Sequence, residues 1–126
     1  MVFSSIYGKM QYSERLKKNK DFSHVYNGRY SRSSGPLYMY VRENGMNMNR
    51  IGVVVSKKVG NSVVRHRIKR LVKENYRLDE ISYKKGYDMV VIAKKSAAEA
   101  DFYDIKKSMA ELCKACHLLN TENEDH

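Results

Sequence analysis

Hydrophobic residues recur along the chain with two different periods, and each period predicts a different kind of element. Spacings of three and four residues predict three helices, which begin at Asn19, at Asn61 or Ser62, and at Asp101. Gly28 is predicted to end the first helix, and the second is predicted to run to about Arg77. Short runs rich in β-branched or aromatic residues predict strands at residues 37–41, 51–55 and 87–93. The predicted order is therefore α-β-β-α-β-α.

Three helices and three strands in 126 residues fit a single-domain α/β (α+β) protein, built as a two-layer α-β sandwich. The pattern does not determine the strand order. The serine-rich stretch 29–36 is predicted to be a connection, and residues 79–86 a loop. We expect a flexible N-terminal extension at 1–12, the folded domain at 13–119 and an acidic tail at 120–126.

The charge of the chain points to a polyanionic partner. Lys and Arg total 24 against 14 Asp and Glu, so the net charge is 24 − 14 = +10. A nucleic acid is the commonest partner for so basic a small domain, and an anionic membrane surface comes second. Neither a signal-like apolar segment nor a membrane-spanning apolar run is evident, so we expect a cytoplasmic protein with no membrane partner.

Most of the informative positive charge falls on one face of the second predicted helix. On a helical wheel, Arg65, His66, Lys69, Arg70, Lys73 and Arg77 occupy one side and Val64, Ile68, Leu71 and Val72 the other. Arg67 lies at the border. Between Arg65 and Lys73 there are five Lys or Arg residues and no acid. A solvated polar face explains charge but not charge of one sign, which is destabilising without a partner. We therefore expect this face to bind a polyanion.

The two cysteines belong to a C-x-x-C-H sequence, Cys113 to His117, which can mark covalent haem attachment. That chemistry requires export, which the N-terminal sequence does not indicate, and no second Cys/His cluster completes a zinc site. Both cysteines instead fall on the apolar stripe of the third helix, with Ile105, Met109 and Leu112. We predict that they are buried core residues and that no haem or metal is bound.

The segment 58–70, K-V-G-N-S-V-V-R-H-R-I-K-R, resembles the RNR signature of the bacterial ribonuclease P protein family, K-x-G-x-A-V-x-R-N-R-x-K-R. Two departures stand out: Ser62 replaces Ala and His66 replaces Asn, although a His can still donate a hydrogen bond. Residues 15–22 are similar to the family's R-L-K-K-x-x-D-F opening, and residues 88–94 to the strand that follows the basic helix. The resemblance covers about residues 15–118.

The resemblance implies a fold and an RNA partner. It implies that the basic helix forms an unusual left-handed β-α-β crossover, whereas right-handed connections are the general rule. It also implies that the helix binds the catalytic RNA subunit of ribonuclease P. The implied RNA-binding residues are Arg65, His66, Arg67, Lys69, Arg70 and Lys73.

The resemblance further implies a cleft, formed by the first helix and the sheet, that binds the single-stranded 5′ leader of precursor tRNA. The family's aromatic positions there match Phe22, Tyr26 and Tyr40, and Lys58 is expected near the same strand. Aromatic faces can stack unpaired bases. Ordinary core packing, of Phe22 above all, is the alternative interpretation.

The residues themselves argue against self-contained catalysis. Acids are scattered, the histidines are isolated, and no phosphate-cradling glycine motif is present. No catalytic residue or metal ligand is therefore predicted. The resemblance implies that the RNA holds catalytic Mg²⁺ and that this chain is an enzyme only as a subunit of the holoenzyme. The alternatives are a non-enzymatic ribosomal or RNA-chaperone module and a DNA-binding protein that inserts the basic helix into the major groove.

Overall fold

The computed structural model describes residues 10 and 12–120, which form a five-stranded sheet and three α-helices. Two short 3₁₀ segments, Glu80–Ser82 and Lys95–Glu99, are also present among these residues. Most of the predicted extension and acidic tail lies outside the described residues. The elements are β1 (Ser13–Arg15), α1 (Asn19–Asn27), β2 (Ser31–Ser34), β3 (Leu37–Glu43), β4 (Asn49–Val54), α2 (Ser62–Asp79), β5 (Tyr87–Ala93) and α3 (Phe102–Ala115).

The strand order is β1-β4-β5-β3-β2. The central strand β5 is parallel to β4 on one side and antiparallel to β3 on the other. Because α2 connects the parallel neighbours β4 and β5, the basic helix lies in a β-α-β crossover, as the resemblance implies. The left hand of that crossover stays a prediction.

Side-chain alternation along β5 divides the interior into two clusters. Met89, Val91 and Ala93 face the main core, where α2 and α3 pack. Val90 faces the opposite side, where it joins Val25 of α1 in a smaller cluster. The predicted single-domain α-β sandwich is therefore confirmed, but its helices lie on both faces of the sheet rather than in the one layer predicted, with α1 on the face away from α2 and α3.

Two strands are missing from the prediction. Residues 31–34 were expected in a connection, but they form β2 and pair with β3 through a tight turn at Gly35 and Pro36. Gly35 has φ +51°, a conformation that favours glycine. The second is the short strand β1, which is parallel to β4. Neither strand carries the alternating apolar residues that make a strand recognisable in sequence.

The N-terminal cap residue is the predicted one for α2 and α3 but not for α1. The Asn61 side chain accepts a hydrogen bond from the Val64 amide, and Asp101 forms a reciprocal capping box with Asp104. The prediction for α1 is wrong by one residue, because Lys18 occupies the cap position without a side-chain bond and Asn19 is already helical. Gly28 ends that helix as expected.

Both cysteines lie in the main core, as predicted. Burial raises the pKa of Cys113 and of Cys116 to about 11, so both remain thiols at neutral pH. Within residues 10 and 12–120, no group of His, Cys, Asp or Glu side chains has the arrangement of a metal site. No helix in this part of the chain has the length and apolar character needed to cross a membrane.

Candidate nucleic-acid interface

The face of the sheet that carries α1 is organised in three cross-strand rows. Pairing of β3, β5 and β4 places one residue from each strand in each row. The rows are Tyr38, Ile92 and Val54; Tyr40, Val90 and Gly52; and Arg42, Asp88 and Arg50. We call them the open, middle and charged rows.

Helix α1 covers the middle row closely. The Phe22 ring occupies the space above Gly52, where an added Cβ would lie 2.5 Å from Phe22 Cε1. Tyr26 meets Tyr40 edge to face, with ring centroids 5.1 Å apart and planes at 83°. All three aromatic side chains remain half-buried. Burial, and secondarily the neighbouring Tyr40, raise the pKa of Tyr26, so its hydroxyl stays protonated.

The charged row fixes α1 to the sheet. Asp88 is fully buried and accepts hydrogen bonds from Arg50 Nε (2.9 Å), Arg50 Nη2 (2.7 Å) and Asn44 Nδ2 (2.9 Å). These bonds to Asp88 raise the pKa of Arg50. The third guanidinium nitrogen of Arg50 lies 3.6 Å from Asp21 of α1. Across the row, Arg42 donates to the His24 carbonyl at 2.8 Å. The sheet therefore holds the helix at two points.

The open row lies next to the middle row, toward the C-terminal ends of β4 and β5. Tyr38 is 43% exposed, and Val54 and Ile92 are half-buried. We call the surface formed by these three side chains together with Phe22, Tyr26 and Tyr40 the aromatic cleft. Lys58 is exposed in the turn that follows β4, and this turn leaves the sheet at the same end as the open row. The structure thus brings Phe22, Tyr26 and Tyr40 to one face of the sheet, and Lys58 follows β4 at the end of that sheet where the open row lies.

The cationic face of α2 points away from the sheet. Ile68, Val72 and Tyr76 are buried, whereas His66 and Arg70 are exposed and Arg65, Lys69 and Lys73 are half-buried. Arg65 Nε donates to the Gly60 carbonyl at 3.2 Å, which fixes this side chain near the helix start.

Strand β1 brings a further cation to this face. Desolvation lowers the pKa of Lys73, and the charges of Arg15 and Lys69 lower it further. Arg15 lies on β1, opposite Ile51 of β4. Arg15 is not among the residues predicted for this surface, because its position depends on a strand that has no sequence signal.

Arg67 differs from the other predicted RNA-binding residues. Its guanidinium donates to the Ala98 carbonyl (2.6 Å) and to the Ala100 carbonyl (2.8 Å). These bonds join α2 to the 3₁₀ segment after β5. The placement favours a structural role, and it agrees with the border position of Arg67 on the helical wheel.

The described residues therefore define a basic α/β protein with two candidate RNA-facing surfaces. The cationic face belongs to the helix layer, and the aromatic cleft lies on the opposite side of the sheet. A helix face whose charges are all positive suits a phosphate backbone, and partly exposed aromatic rings suit unpaired bases.

Comparison with known proteins identifies the family. The model of the Ribonuclease P family matches residues 10–117. The ribonuclease P protein component of Alkaliphilus oremlandii is 43% identical over 112 residues, covering 89% of this chain and 98% of that protein. The corresponding protein of Clostridium botulinum strain Langeland is 47% identical over 107 residues, with 84% and 96% covered. The chain belongs to the ribonuclease P protein family.

Solved structures agree with this assignment. The RNase P protein of Staphylococcus aureus superposes with a TM-score of 0.78 at 32% identity, covering 84% of this chain and 97% of that one. The RNase P protein from Thermotoga maritima gives a TM-score of 0.74 at 31% identity, with 80% and 96% covered. The predicted fold class and family are both confirmed.

We predict that Arg50→Met lowers the free energy of unfolding by on the order of 3 kcal/mol, because it leaves the buried Asp88 carboxylate without its charged partner. Asp21→Asn is the matched control. This variant removes only the ion pair between Arg50 and Asp21, whose side chains are partly exposed. It should cost about 1 kcal/mol or less of unfolding free energy. Urea unfolding measures both, and equal losses would contradict a central role for the Arg50–Asp88 pair.

Proposed function

We propose that this chain binds the catalytic RNA of ribonuclease P through the cationic face of α2 and the 5′ leader of precursor tRNA through the aromatic cleft. In the resulting ribonucleoprotein it promotes endonucleolytic, hydrolytic removal of the leader, which gives the mature tRNA 5′ end. The observation that carries the proposal is the separation of these two surfaces by the sheet. One surface can hold the RNA subunit while the other stays available to substrate.

The cationic face of α2 supports binding to the RNA subunit. Its exposed or half-buried members are Arg65, His66, Lys69, Arg70 and Lys73. The buried Ile68 and Val72 fix the orientation of the helix, so the positive charge faces outward. Arginine forks and lysine ammonium groups both bind phosphate oxygens, and release of counterions from the RNA supplies much of the affinity.

The aromatic cleft supports binding to the leader rather than to a duplex. Its rings are held by α1 and by the sheet, yet each keeps part of its surface open to solvent. A base can stack on such a ring only when it is unpaired, which is the condition of a single-stranded leader. Lys58 lies at the same end of the sheet and would bind a leader phosphate.

The chemical step is assigned to the RNA subunit. Hydrolysis of a phosphodiester needs a positioned base or clustered metal-binding carboxylates. Among the described residues no such cluster occurs, and the carboxylate of the charged row is occupied by Arg50 and Asn44. The Mg²⁺ ions of the holoenzyme are accordingly proposed to bind mainly to the RNA. A ribosomal or RNA-chaperone module would share the basic helix but would not stimulate leader removal.

We predict that adding this protein to a bacterial ribonuclease P RNA at low magnesium accelerates leader removal from precursor tRNA. The protein alone should cleave nothing, because its described residues hold no catalytic constellation. Product formation is measured with the RNA alone, the protein alone and both together. Absence of stimulation would favour the chaperone alternative, and magnesium-dependent cleavage by RNA-free protein would contradict the assignment of catalysis to the RNA.

We predict that Lys69→Ala combined with Arg70→Ala weakens binding to the catalytic RNA and flattens its salt dependence. The slope of log affinity against log salt should fall by about two, because two phosphates are no longer neutralised by the helix. Lys106→Ala with Lys107→Ala is the matched control, since it removes the same charge from exposed positions on α3. Equal slopes for the two double variants would show that α2 does not bind the RNA.

We predict that Tyr40→Ala lowers holoenzyme affinity for precursor tRNA relative to mature tRNA, because only the precursor carries a leader. Loss of one stacking interaction costs on the order of 1–3 kcal/mol. Tyr103→Ala, which removes a 73% exposed ring from α3, is the control. Circular dichroism establishes that both variants are folded. An unchanged ratio of precursor to mature affinity would mean that the aromatic cleft is structural.

A further inference from the structure

His66 lies at the middle of the cationic face of α2. On a helical wheel, Lys69 and Lys73 fall on one side of it and Arg70 and Arg77 on the other. The imidazole is exposed, and Lys69 and Arg70 follow it by three and four residues, so both lie one turn away on the same surface. Where the family signature has Asn, this chain therefore carries the type of side chain whose charge changes between about pH 5 and 8.

The neighbours of His66 along the chain are cations rather than acids. Residues 62–73 include no Asp or Glu, and the first acidic residue of α2 is Glu74, about 12 Å along the helix axis from His66. The carboxylate of Glu74 is paired with Arg77. The turn before the helix adds Lys57 and Lys58, both exposed. No carboxylate of this stretch is therefore placed to pair with the imidazole.

The acids of α3 and of the 3₁₀ segment after β5 lie away from His66. Arg67, at the border of the cationic face, donates to backbone carbonyls of that segment, which places the segment on the border side of α2. Glu99, Asp104 and Glu111 line a groove between α3 and the β2–β3 turn, where Glu111 accepts a hydrogen bond from Ser34. Asp101 is occupied in the capping box of α3 with Asp104.

The other elements beside α2 also bring positive rather than negative charge to the cationic face. Glu80 follows the last turn of α2, at the end opposite to His66, and accepts a hydrogen bond from the Tyr12 amide. On β1, Glu14 acts on Arg50, whereas its neighbour Arg15 acts on Lys73 of α2. The charged groups of the described residues that share a surface with His66 are therefore lysines and arginines.

We propose that His66 binds the catalytic RNA as an imidazolium, so that formation of the complex takes up one proton from solvent. The ligand of the ring is a phosphate oxygen of the RNA backbone, which Lys69 and Arg70 bring to the same surface. This inference rests on the proposed RNA-binding role of α2. It adds a form of regulation to that surface, because RNA affinity then rises as the pH falls through the range in which imidazoles titrate.

The direction of the effect follows from linkage between the two binding equilibria. A phosphate beside an imidazole favours the charged ring, in which both nitrogens donate hydrogen bonds. Because the complex then holds more protons than the separate partners, a fall in pH must raise the affinity. The additional positive charge also releases one more counterion from the RNA, so the salt dependence becomes steeper at low pH.

The competing explanation is a neutral His66 that donates one hydrogen bond, as the amide of Asn would. A neutral ring neutralises no phosphate and takes up no proton. It therefore predicts that replacing His66 by Asn changes neither the pH dependence nor the salt dependence of RNA binding.

The test measures the affinity of the full chain for a bacterial ribonuclease P RNA between about pH 8 and pH 6, at fixed salt and magnesium. Relative to His66→Asn, the wild-type affinity should rise by about 3- to 10-fold over this range. The wild-type slope of log affinity against log salt should steepen by about one. The comparison with His66→Asn removes the contribution of groups that titrate on the RNA. His66→Lys carries a permanent charge and should show the low-pH affinity and the steeper slope throughout.

His117→Asn is the matched control, because His117 is also exposed but follows α3, and Asn tolerates its φ of +57°. This variant should keep the wild-type pH profile, and circular dichroism over the same pH range establishes that each variant is folded. If His66→Asn keeps the wild-type profile, or lowers affinity equally at every pH, the inference is overturned. The proposed function fails separately, if Lys69→Ala with Arg70→Ala leaves RNA affinity and its salt slope unchanged.

Discussion

The position of β5 between β4 and β3 is the constraint on which both candidate surfaces depend. A strand paired on both edges sends alternate side chains to opposite faces of the sheet. Met89 and Val91 enter the main core with α2 and α3, and Val90 meets α1 on the other side. A shift of one residue in this register would exchange the two sets. The register therefore determines which face carries the aromatic cleft and which carries the basic helix.

The parallel pairing of β4 with β5 in turn requires a connection that crosses the sheet, and α2 is that connection. Its apolar side is used against the core, so the lysines and arginines on the other side face solvent together. Arg67, at the border between the two sides, binds backbone carbonyls instead. The remaining like charges repel one another, and a phosphate backbone would relieve that repulsion.

The cleft depends on how closely α1 approaches the sheet. Gly52 allows the Phe22 ring to lie directly on β4, and the charged row anchors the helix through Arg50 and Arg42. With the helix held there, Tyr26 and Tyr40 pack against each other but remain partly exposed. An ordinary core would bury these rings completely. Their partial exposure on a rigid support is the property that a base-stacking surface needs.

Local patterns along the chain are enough to predict the periodic elements, their order and the family. Helices α2 and α3 carry strong apolar stripes and side-chain caps, and β3, β4 and β5 carry β-branched or aromatic runs, so local interactions and burial specify them. The RNR-like segment lies almost entirely within one helix and the turn before it, and its spacing could therefore be read without any tertiary contact. Tyr38 and Tyr40 could also be placed on one strand face by alternation alone.

The remaining features depend on contacts between segments that are far apart in the chain. Strands β1 and β2 are short and polar, so they form because a neighbouring strand offers hydrogen bonds, and their own residues carry no signal for that. The local sequence likewise carries no signal for the contact of Arg50 with Asp88, or for the contacts of Lys94 with Tyr38 and Ser33. These groups meet through strand register between segments far apart in the chain. Local propensity carries no information about such register, because it is set by the packing of the whole sheet.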